Sequence, residues 1–132
     1  MKLAVNTVVY GLNEALAEGL VLAERAGIDR LQAYEVFAES AVAAPFVHYR
    51  RLAFERPDET PVAFRLELAA KDLGLIKDFA DALGQSLPQA ELNAEVLAAA
   101  IEDGFADYDV SLVAEYLRRD GERDLRIAEE PA

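Results

Sequence analysis

The chain has 132 residues, of which 53% are hydrophobic, so it is long and apolar enough to form one domain with a real core. Its formal charge of −12 argues against nucleic acid and anionic membrane surfaces as partners, because phosphate contacts need a basic face. With no cysteine and a single histidine, the chain offers no disulfide, no catalytic thiolate and no histidine-rich metal site. The sequence shows neither a long apolar run nor a charged-then-apolar leader, and we therefore expect a soluble, cytoplasmic protein.

Residues 1–27 predict one long helix. Apolar residues recur there at three- and four-residue spacing, which places them on one helical face, and no proline occurs before Pro45. Gly27 is the expected end, since glycine readily adopts the left-handed conformation of many helix C-caps. The predicted apolar face consists of Leu12, Leu16, Leu20 and Ala23.

The same helix carries polar residues on one side. Lys2 and Asn6 are four residues apart and project from one face, and Asn13 lies on roughly that side two turns later. A lysine and two asparagines on an otherwise apolar helix require an explanation beyond core packing.

Two shorter helices are expected next. Asp29 is a candidate N-cap for a helix that begins at Arg30, and Gln32 completes a capping-box pattern. Pro45 suits the first position of a third helix that extends to Leu52.

The second half of the chain predicts three more helices. Prolines and charge indicate a loop over residues 54–61, followed by a brief extended segment over 62–66. Helical periodicity then covers residues 66–84, with a predicted inward face of Leu66, Ala69, Leu73, Ile76, Ala80 and Leu83. After Pro88 it resumes over residues 89–103, with Leu92, Val96, Ala99 and Ala100 expected inside.

Asp109 is the expected N-cap of a sixth helix over residues 110–119. The charged residues 120–132 are expected to form a frayed tail. Because no segment alternates as a half-buried strand does, the predicted fold class is all-α, with about six helices in a single domain over residues 1–119.

Lys2 is the first candidate for chemistry. The positive end of the helix dipole disfavours a further positive charge, which suits a residue that has to exchange a proton. The ordinary alternative is a solvated lysine that follows the first methionine. Asn6 favours the functional interpretation, because an ammonium and a carboxamide on one face can hold an oxygen-rich substrate between them.

The pair Lys71 and Asp72, in an apolar context, is the second candidate. Here the ordinary alternative is an ion-paired helix surface, since Glu67 lies four residues before Lys71 in the favourable order. His48 is expected on a half-buried helix rather than at a metal. The aromatic residues Phe37, Phe46, Tyr49, Phe54 and Phe64 recur at helical spacing and are interpreted as core.

Several segments nevertheless form a recognisable set: Lys2–Asn6, residues 17–29, Phe64, residues 68–75, Pro88 and residues 104–109. Together they resemble the C-terminal domain of the β-hydroxyacid dehydrogenases. That family includes 3-hydroxyisobutyrate dehydrogenase and tartronate semialdehyde reductase and is similar to 6-phosphogluconate dehydrogenase. The resemblance extends to about Arg119, and its Lys-x-x-x-Asn and Lys-Asp-Leu-Gly-Leu motifs are fairly specific as a pair.

The resemblance implies a role for each matched residue. Lys2 would be the general acid/base for a small 3-hydroxy acid. It would give a proton to the carbonyl oxygen of the oxidised form as hydride reaches the carbonyl carbon. Asn6 would hydrogen-bond the substrate near the reacting carbon. Lys71 would lie close to the nicotinamide end of NAD or NADP, with Asp72 and Phe64 supporting that wall.

The family pattern also has parts that do not occur in these residues. Family members carry an N-terminal Rossmann domain with a glycine-rich dinucleotide fingerprint and a serine-glycine loop at the catalytic site. We therefore expect an isolated substrate and dimerisation domain that binds NAD(P) weakly or not at all, requires a Rossmann domain as partner, and self-associates as a homodimer.

Two other interpretations stay open. One is a stand-alone helical binding or dimerisation module that shares the ancestry without the catalytic activity. The other is an imine-reducing relative, in which a different residue typically replaces the lysine, so Lys2 makes it the less favoured interpretation.

Overall fold

The computed structural model describes the backbone of residues 1–129 and the side chains of residues 1–123. Within that part of the chain there are seven α-helices and no strand, which confirms the all-α prediction. Arg65 and Asp109 form an isolated antiparallel bridge. The helices are α1 (Lys2–Arg25), α2 (Arg30–Glu39), α3 (Pro45–Tyr49), α4 (Arg51–Glu55), α5 (Leu66–Ala82), α6 (Pro88–Ala100) and α7 (Val113–Glu129), with 3-10 turns at Pro57–Glu59 and Val110–Leu112 and a π turn at Ile101–Phe105.

Helix α1 is the centre of the domain, because α2, α5, α6 and α7 all pack against it. Its predicted apolar face is largely confirmed: Leu16 and Leu20 are buried, while Leu12 and Ala23 pack partly buried against the core. The chain leaves the helix through Gly27, whose φ of 88° lies in the left-handed region that favours glycine. None of the helices in residues 1–129 is long and apolar enough to cross a membrane.

The predicted inward face of α5 needs correction at one residue, and that of α6 needs a larger correction. Leu83 follows the last residue of α5 and is 66% exposed, and Leu92 is 53% exposed. The buried face of α6 differs from the face that the apolar pattern predicts. That face is buried at Ala90, Asn93, Leu97 and Ala100 and includes a polar residue that hydrophobicity does not reveal.

The third predicted helix is divided in two. Arg50, with φ −90° and ψ −1°, ends α3 and precedes α4, so the segment from Pro45 to Leu52 is not one continuous helix. The side chain of Arg50 is buried and pairs with Asp109, an interaction between residues far apart in sequence. This break places Arg50 inside the domain.

The prediction of a frayed tail from residue 120 is wrong for the residues that the structure describes. Helix α7 continues past Arg119 to Glu129, while residues 130–132 lie outside the described part. One described contact of this extension is the ion pair between Arg123 and Asp103 at 2.8 Å. The charged composition of this segment therefore does not prevent a helix.

A buried carboxyl group lies within α1. Glu14 is 4% exposed, and its Oε2 has no hydrogen-bond partner among the described residues. Burial, with a smaller contribution from the charge of Glu18, raises the pKa of Glu14 from 4.5 to about 8. The folded chain therefore holds Glu14 protonated near neutral pH, whereas the unfolded chain does not.

This difference predicts that stability falls as pH rises. Between pH 4.5 and about 8 the folded state keeps a proton that the unfolded state has lost, so the free energy of unfolding decreases by about 1.4 kcal/mol per pH unit. Glu14→Gln, which mimics the protonated form, should remove this slope and raise the free energy of unfolding at neutral pH by about 2–3 kcal/mol. Urea denaturation across this pH range measures both effects.

Glu95→Gln is the matched control, because Glu95 is exposed on α6. It should keep the pH slope of the unsubstituted chain. A Glu14→Gln variant with that same slope would contradict the prediction.

Candidate functional site

One face of α1 lines a cavity of about 410 Å³. Lys2, Asn6, Tyr10 and Asn13 follow one another at four-, four- and three-residue spacing, so their side chains lie along one side of the helix. Lys2 is exposed, Asn6 is half-buried, and Tyr10 and Asn13 are buried. The cavity therefore deepens along α1, with Lys2 at its mouth and Asn13 at its inner end.

The remaining walls come from segments far away in the sequence. They are supplied by α3 and the residue that follows it, the loop before α5, α5 itself and the turn that precedes α7. Among the predicted site residues, Phe64 and Asp72 lie in these walls. The other lining residues are Val9 on α1 and, from other segments, Phe46, Tyr49, Arg50, Ala63 and Val110.

Lys71 is placed differently from the other four predicted site residues. It is exposed on α5 and does not line the cavity that Asp72 lines. Consecutive residues of a helix point about 100° apart, which is consistent with Asp72 facing the cavity and Lys71 facing solvent. Glu67, the expected ion-pair partner of Lys71, pairs instead with Arg65 at 2.9 Å.

Tyr10 connects the two predicted wall residues. Its hydroxyl donates to Asp72 Oδ2 at 2.5 Å, and its ring stacks on Phe64 with centroids 6.4 Å apart. Burial, the hydrogen bond to Asp72 and the charge of Asp72 raise the pKa of Tyr10 well above its ordinary value of 10, so the phenol stays a donor. The sequence analysis did not identify Tyr10 as a site residue, although it lies four residues after Asn6 on the same helical face.

Asp109 organises the opposite wall. It accepts hydrogen bonds from the amides of Ala63 at 2.9 Å and Phe64 at 3.2 Å through Oδ2, and from the amide of Ser111 at 3.0 Å through Oδ1. Oδ1 also accepts from Arg50 Nη2. Burial opposes the ionised carboxylate, but the bonds from Ser111, Phe64 and Ala63 hold its pKa below the usual range. The predicted N-cap role of Asp109 is confirmed by its bond to Ser111.

Two buried polar side chains of the lining keep an atom without a hydrogen-bond partner in the described part of the chain. Asn13 donates through Nδ2 to the carbonyl oxygen of Val110 at 3.2 Å, whereas its Oδ1 is unpartnered. Arg50 donates to Asp109, whereas its Nε is unpartnered. No spacing in the sequence indicated Arg50, because its partner lies 59 residues away.

The aromatic residues divide between core and rim. Phe54 and Phe46 are buried and Phe37 and Phe64 are partly buried, as interpreted from the sequence, but Tyr49 is 69% exposed. Tyr49 packs edge-on against Phe46, with centroids 5.5 Å apart, at the edge of the cavity. Among residues 1–123, whose side chains the structure describes, there is no cluster of acidic or histidine side chains that could hold a metal ion.

The fold and the cavity together define a helical domain in which one long helix supplies a polar wall of the cavity. A family profile described as "NAD-binding of NADP-dependent 3-hydroxyisobutyrate dehydrogenase" matches residues 1–117. The chain belongs to this family, that of the β-hydroxyacid dehydrogenases.

Individual relatives agree with this assignment. Glyoxylate/succinic semialdehyde reductase 2, chloroplastic, of Arabidopsis thaliana is 31% identical over 118 residues, which are 89% of this chain and 33% of the relative. The crystal structure of 3-hydroxyisobutyrate dehydrogenase from Salmonella typhimurium has a TM-score of 0.79 at 30% identity, covering 87% of this chain and 40% of that one. The Mycobacterium tuberculosis 3-hydroxyisobutyrate dehydrogenase with L-serine has a TM-score of 0.76 at 29% identity, covering 89% and 42%. The chain thus spans well under half the length of these relatives.

The geometry around Asp109 predicts a large stability cost for its removal. Asp109→Ala leaves the buried Arg50 guanidinium without its counter-charge and should lower the free energy of unfolding by about 3–5 kcal/mol. Asp107→Ala is the matched control, because Asp107 is 84% exposed in its side chain and makes only a 3.5 Å contact with Arg65. It should change stability by less than about 0.5 kcal/mol. Equal midpoints in urea denaturation for the two variants would contradict this account of the pair.

Proposed function

We propose that this chain is the helical part of an NAD(P)-dependent oxidoreductase that interconverts a small 3-hydroxy acid and its carbonyl form. The observation that carries the proposal is that Lys2, Asn6, Phe64 and Asp72 surround one cavity although they come from distant parts of the sequence. Family membership supports the same reaction class. The relative from Mycobacterium tuberculosis is described with L-serine, which is itself a 3-hydroxy acid.

The cavity residues fit the nicotinamide end of NAD(P) better than its phosphates. Phe64 offers an aromatic surface and Asp72 a carboxylate, which would repel a pyrophosphate. Lys71, exposed on the neighbouring face of α5, would contact the cofactor from outside the cavity. The bound cofactor supplies or accepts the hydride. A dinucleotide-binding domain would have to hold its phosphates.

Lys2 is the proposed proton donor. When the carbonyl carbon accepts hydride, the electron pair of the carbonyl bond moves to oxygen, and this oxygen takes a proton from the Lys2 ammonium. The neutral amine then regains a proton from water, since Lys2 is exposed at the cavity mouth. In the oxidation direction the amine removes the hydroxyl proton.

Asn6 is the proposed orienting residue. It lies one helical turn beyond Lys2 and is half-buried, so its amide can donate to a substrate oxygen on the cavity side of Lys2. Two contacts from one rigid helix would fix the reacting carbon relative to both groups. Tyr10, through Asp72 and Phe64, would hold the facing wall in place.

The catalytic role predicts a specific loss on substitution. This chain is mixed with a separately produced dinucleotide-binding domain of a relative, and hydride transfer is followed by the absorbance of NAD(P)H. Lys2→Ala should lower the rate by about 10²–10⁴-fold, because general acid catalysis contributes on that scale. Lys77→Ala, which removes a lysine from α5 outside the cavity lining, should leave the rate unchanged. Equal rates for Lys2→Ala and Lys77→Ala would overturn the role of Lys2, and a complete lack of hydride transfer would favour a stand-alone binding module.

We also propose that the chain forms a homodimer. Support comes from large apolar side chains that a monomer leaves in water, among them Val8 at 69%, Phe79 at 54% and Leu83 at 66% exposed. Phe79 and Leu83 border an apolar groove of about 290 Å³ between the start of α1 and the end of α5.

Sedimentation equilibrium measures this association. The apparent mass should rise from 14.5 kDa at low concentration to twice that value at high micromolar concentration. A constant monomer mass over the whole range would contradict the homodimer.

A further inference from the structure

Tyr10 is the largest side chain on the polar face of α1, which runs from Lys2 to Asn13. It lies four residues beyond Asn6, which is about 6 Å further along the helix axis and on nearly the same side. The side chain lines the cavity, although only 7% of the residue is exposed. A ligand that contacts Lys2 and Asn6 and extends inward along α1 therefore meets the ring of Tyr10.

Two contacts on the facing wall fix the position of this ring. The hydroxyl of Tyr10 donates to Asp72 Oδ2 on α5 at 2.5 Å, and the ring stacks on Phe64 at an interplanar angle of 28°. The side chain of Tyr10 thus spans the cavity from α1 to α5. Rotation of the ring would break the hydrogen bond and the aromatic contact together, so the ring is a fixed wall that a ligand does not displace.

A second connection between the walls lies one turn further in. Asn13 donates through Nδ2 to the carbonyl oxygen of Val110 at 3.2 Å, which joins α1 to the turn that precedes α7. Lys2 and Asn6, by contrast, are exposed and half-buried. The space for a ligand along α1 therefore narrows from Asn6 to Tyr10.

The surroundings of Tyr10 suit an uncharged hydrocarbon group. The rings of Tyr10 and Phe64 offer apolar surface, whereas the carboxylate of Asp72 beside them repels an anion. A carboxylate of the ligand is therefore disfavoured at this position. A short alkyl group packs favourably against the two rings.

From these contacts we propose that Tyr10 limits the size of the hydrocarbon substituent on the reacting carbon of the substrate. The inference rests on the proposed function, in which Lys2 and Asn6 contact the reacting oxygen. Of the roughly 6 Å between Asn6 and Tyr10, a van der Waals contact with the ring occupies about 3.5–4.0 Å. The remainder admits a hydrogen, methyl or ethyl substituent and excludes a propyl group. Tyr10 is then the residue that selects short hydroxy acids over longer ones.

Two hydroxy acids of different length test this limit. The ligands are 3-hydroxybutyrate and 3-hydroxyhexanoate, which carry a methyl and a propyl group on the hydroxyl-bearing carbon, and their binding to this chain is measured by nuclear magnetic resonance titration. The unsubstituted chain should bind the butyrate at least about tenfold more tightly, because additional carbons in a filled space are unfavourable on that scale. Tyr10→Ala should remove this difference, whereas Tyr10→Phe, which keeps the ring, should retain it.

Tyr108→Ala is the control for the loss of an aromatic side chain. Tyr108 is 53% exposed and is not part of the cavity lining, so this variant removes the same side chain at a different place. It should keep the preference for the butyrate. A preference retained in Tyr10→Ala, or absent from the unsubstituted chain, would overturn the proposal.

A measurement on the unsubstituted chain covers the case in which Tyr10→Ala fails to fold. Nuclear Overhauser effects should connect the methyl protons of bound 3-hydroxybutyrate with the ring protons of Tyr10. Methyl contacts to other residues and none to Tyr10 would refute the assignment. Neither measurement involves hydride transfer, so a size limit that depends on Tyr10 in a chain without catalytic activity would remove the proposed function alone.

Discussion

The buried pair between Arg50 and Asp109 is the interaction on which the geometry of the cavity depends. Asp109 joins three separate pieces of backbone: the loop that carries Phe64, the junction of α3 and α4, and the turn that starts α7. Each piece contributes to the cavity lining, and α1 and α5 supply the rest. A buried ion pair of this kind adds little net stability compared with apolar packing, but the loss of one partner is costly. Here one carboxylate links segments that backbone hydrogen bonds also hold together, such as the bond from the amide of Val110 to the carbonyl oxygen of Phe64 at 2.9 Å.

Helix α1 is organised by two requirements that act on different faces. Its apolar face provides the core through Leu16, Ala17 and Leu20, and its polar face provides the cavity wall from Lys2 to Asn13. The polar face is graded: the lysine at the mouth remains in contact with water, whereas Tyr10 and Asn13 are removed from it. The helix therefore presents a solvent-exposed lysine at one end of the cavity and buried hydrogen-bonding groups at the other, where hydrogen bonds are electrostatically stronger than in water.

Much of the fold was accessible from periodicity, capping and turn residues, since these are local properties. The cap at Asp29, the left-handed glycine at residue 27 and the predicted inward face of α5 up to Ala80 are all present. The errors have a common cause. Leu92 and Tyr49 are apolar or aromatic residues that the tertiary packing leaves exposed, and α7 extends beyond Arg119, where Arg123 pairs with Asp103 of another element. Such partners cannot be read from the spacing of neighbouring residues.

The same division holds for the site. The sequence by itself determined the helical class, the family resemblance and the alignment of Lys2 with Asn6, because one turn of helix brings residues four apart onto one face. Only the tertiary structure decided that Asp72 lines the same cavity and bonds to Tyr10, that Lys71 is exposed outside the lining, and that Arg50 is buried. These are contacts across 59 and 62 positions of the chain, and their existence depends on how whole helices pack.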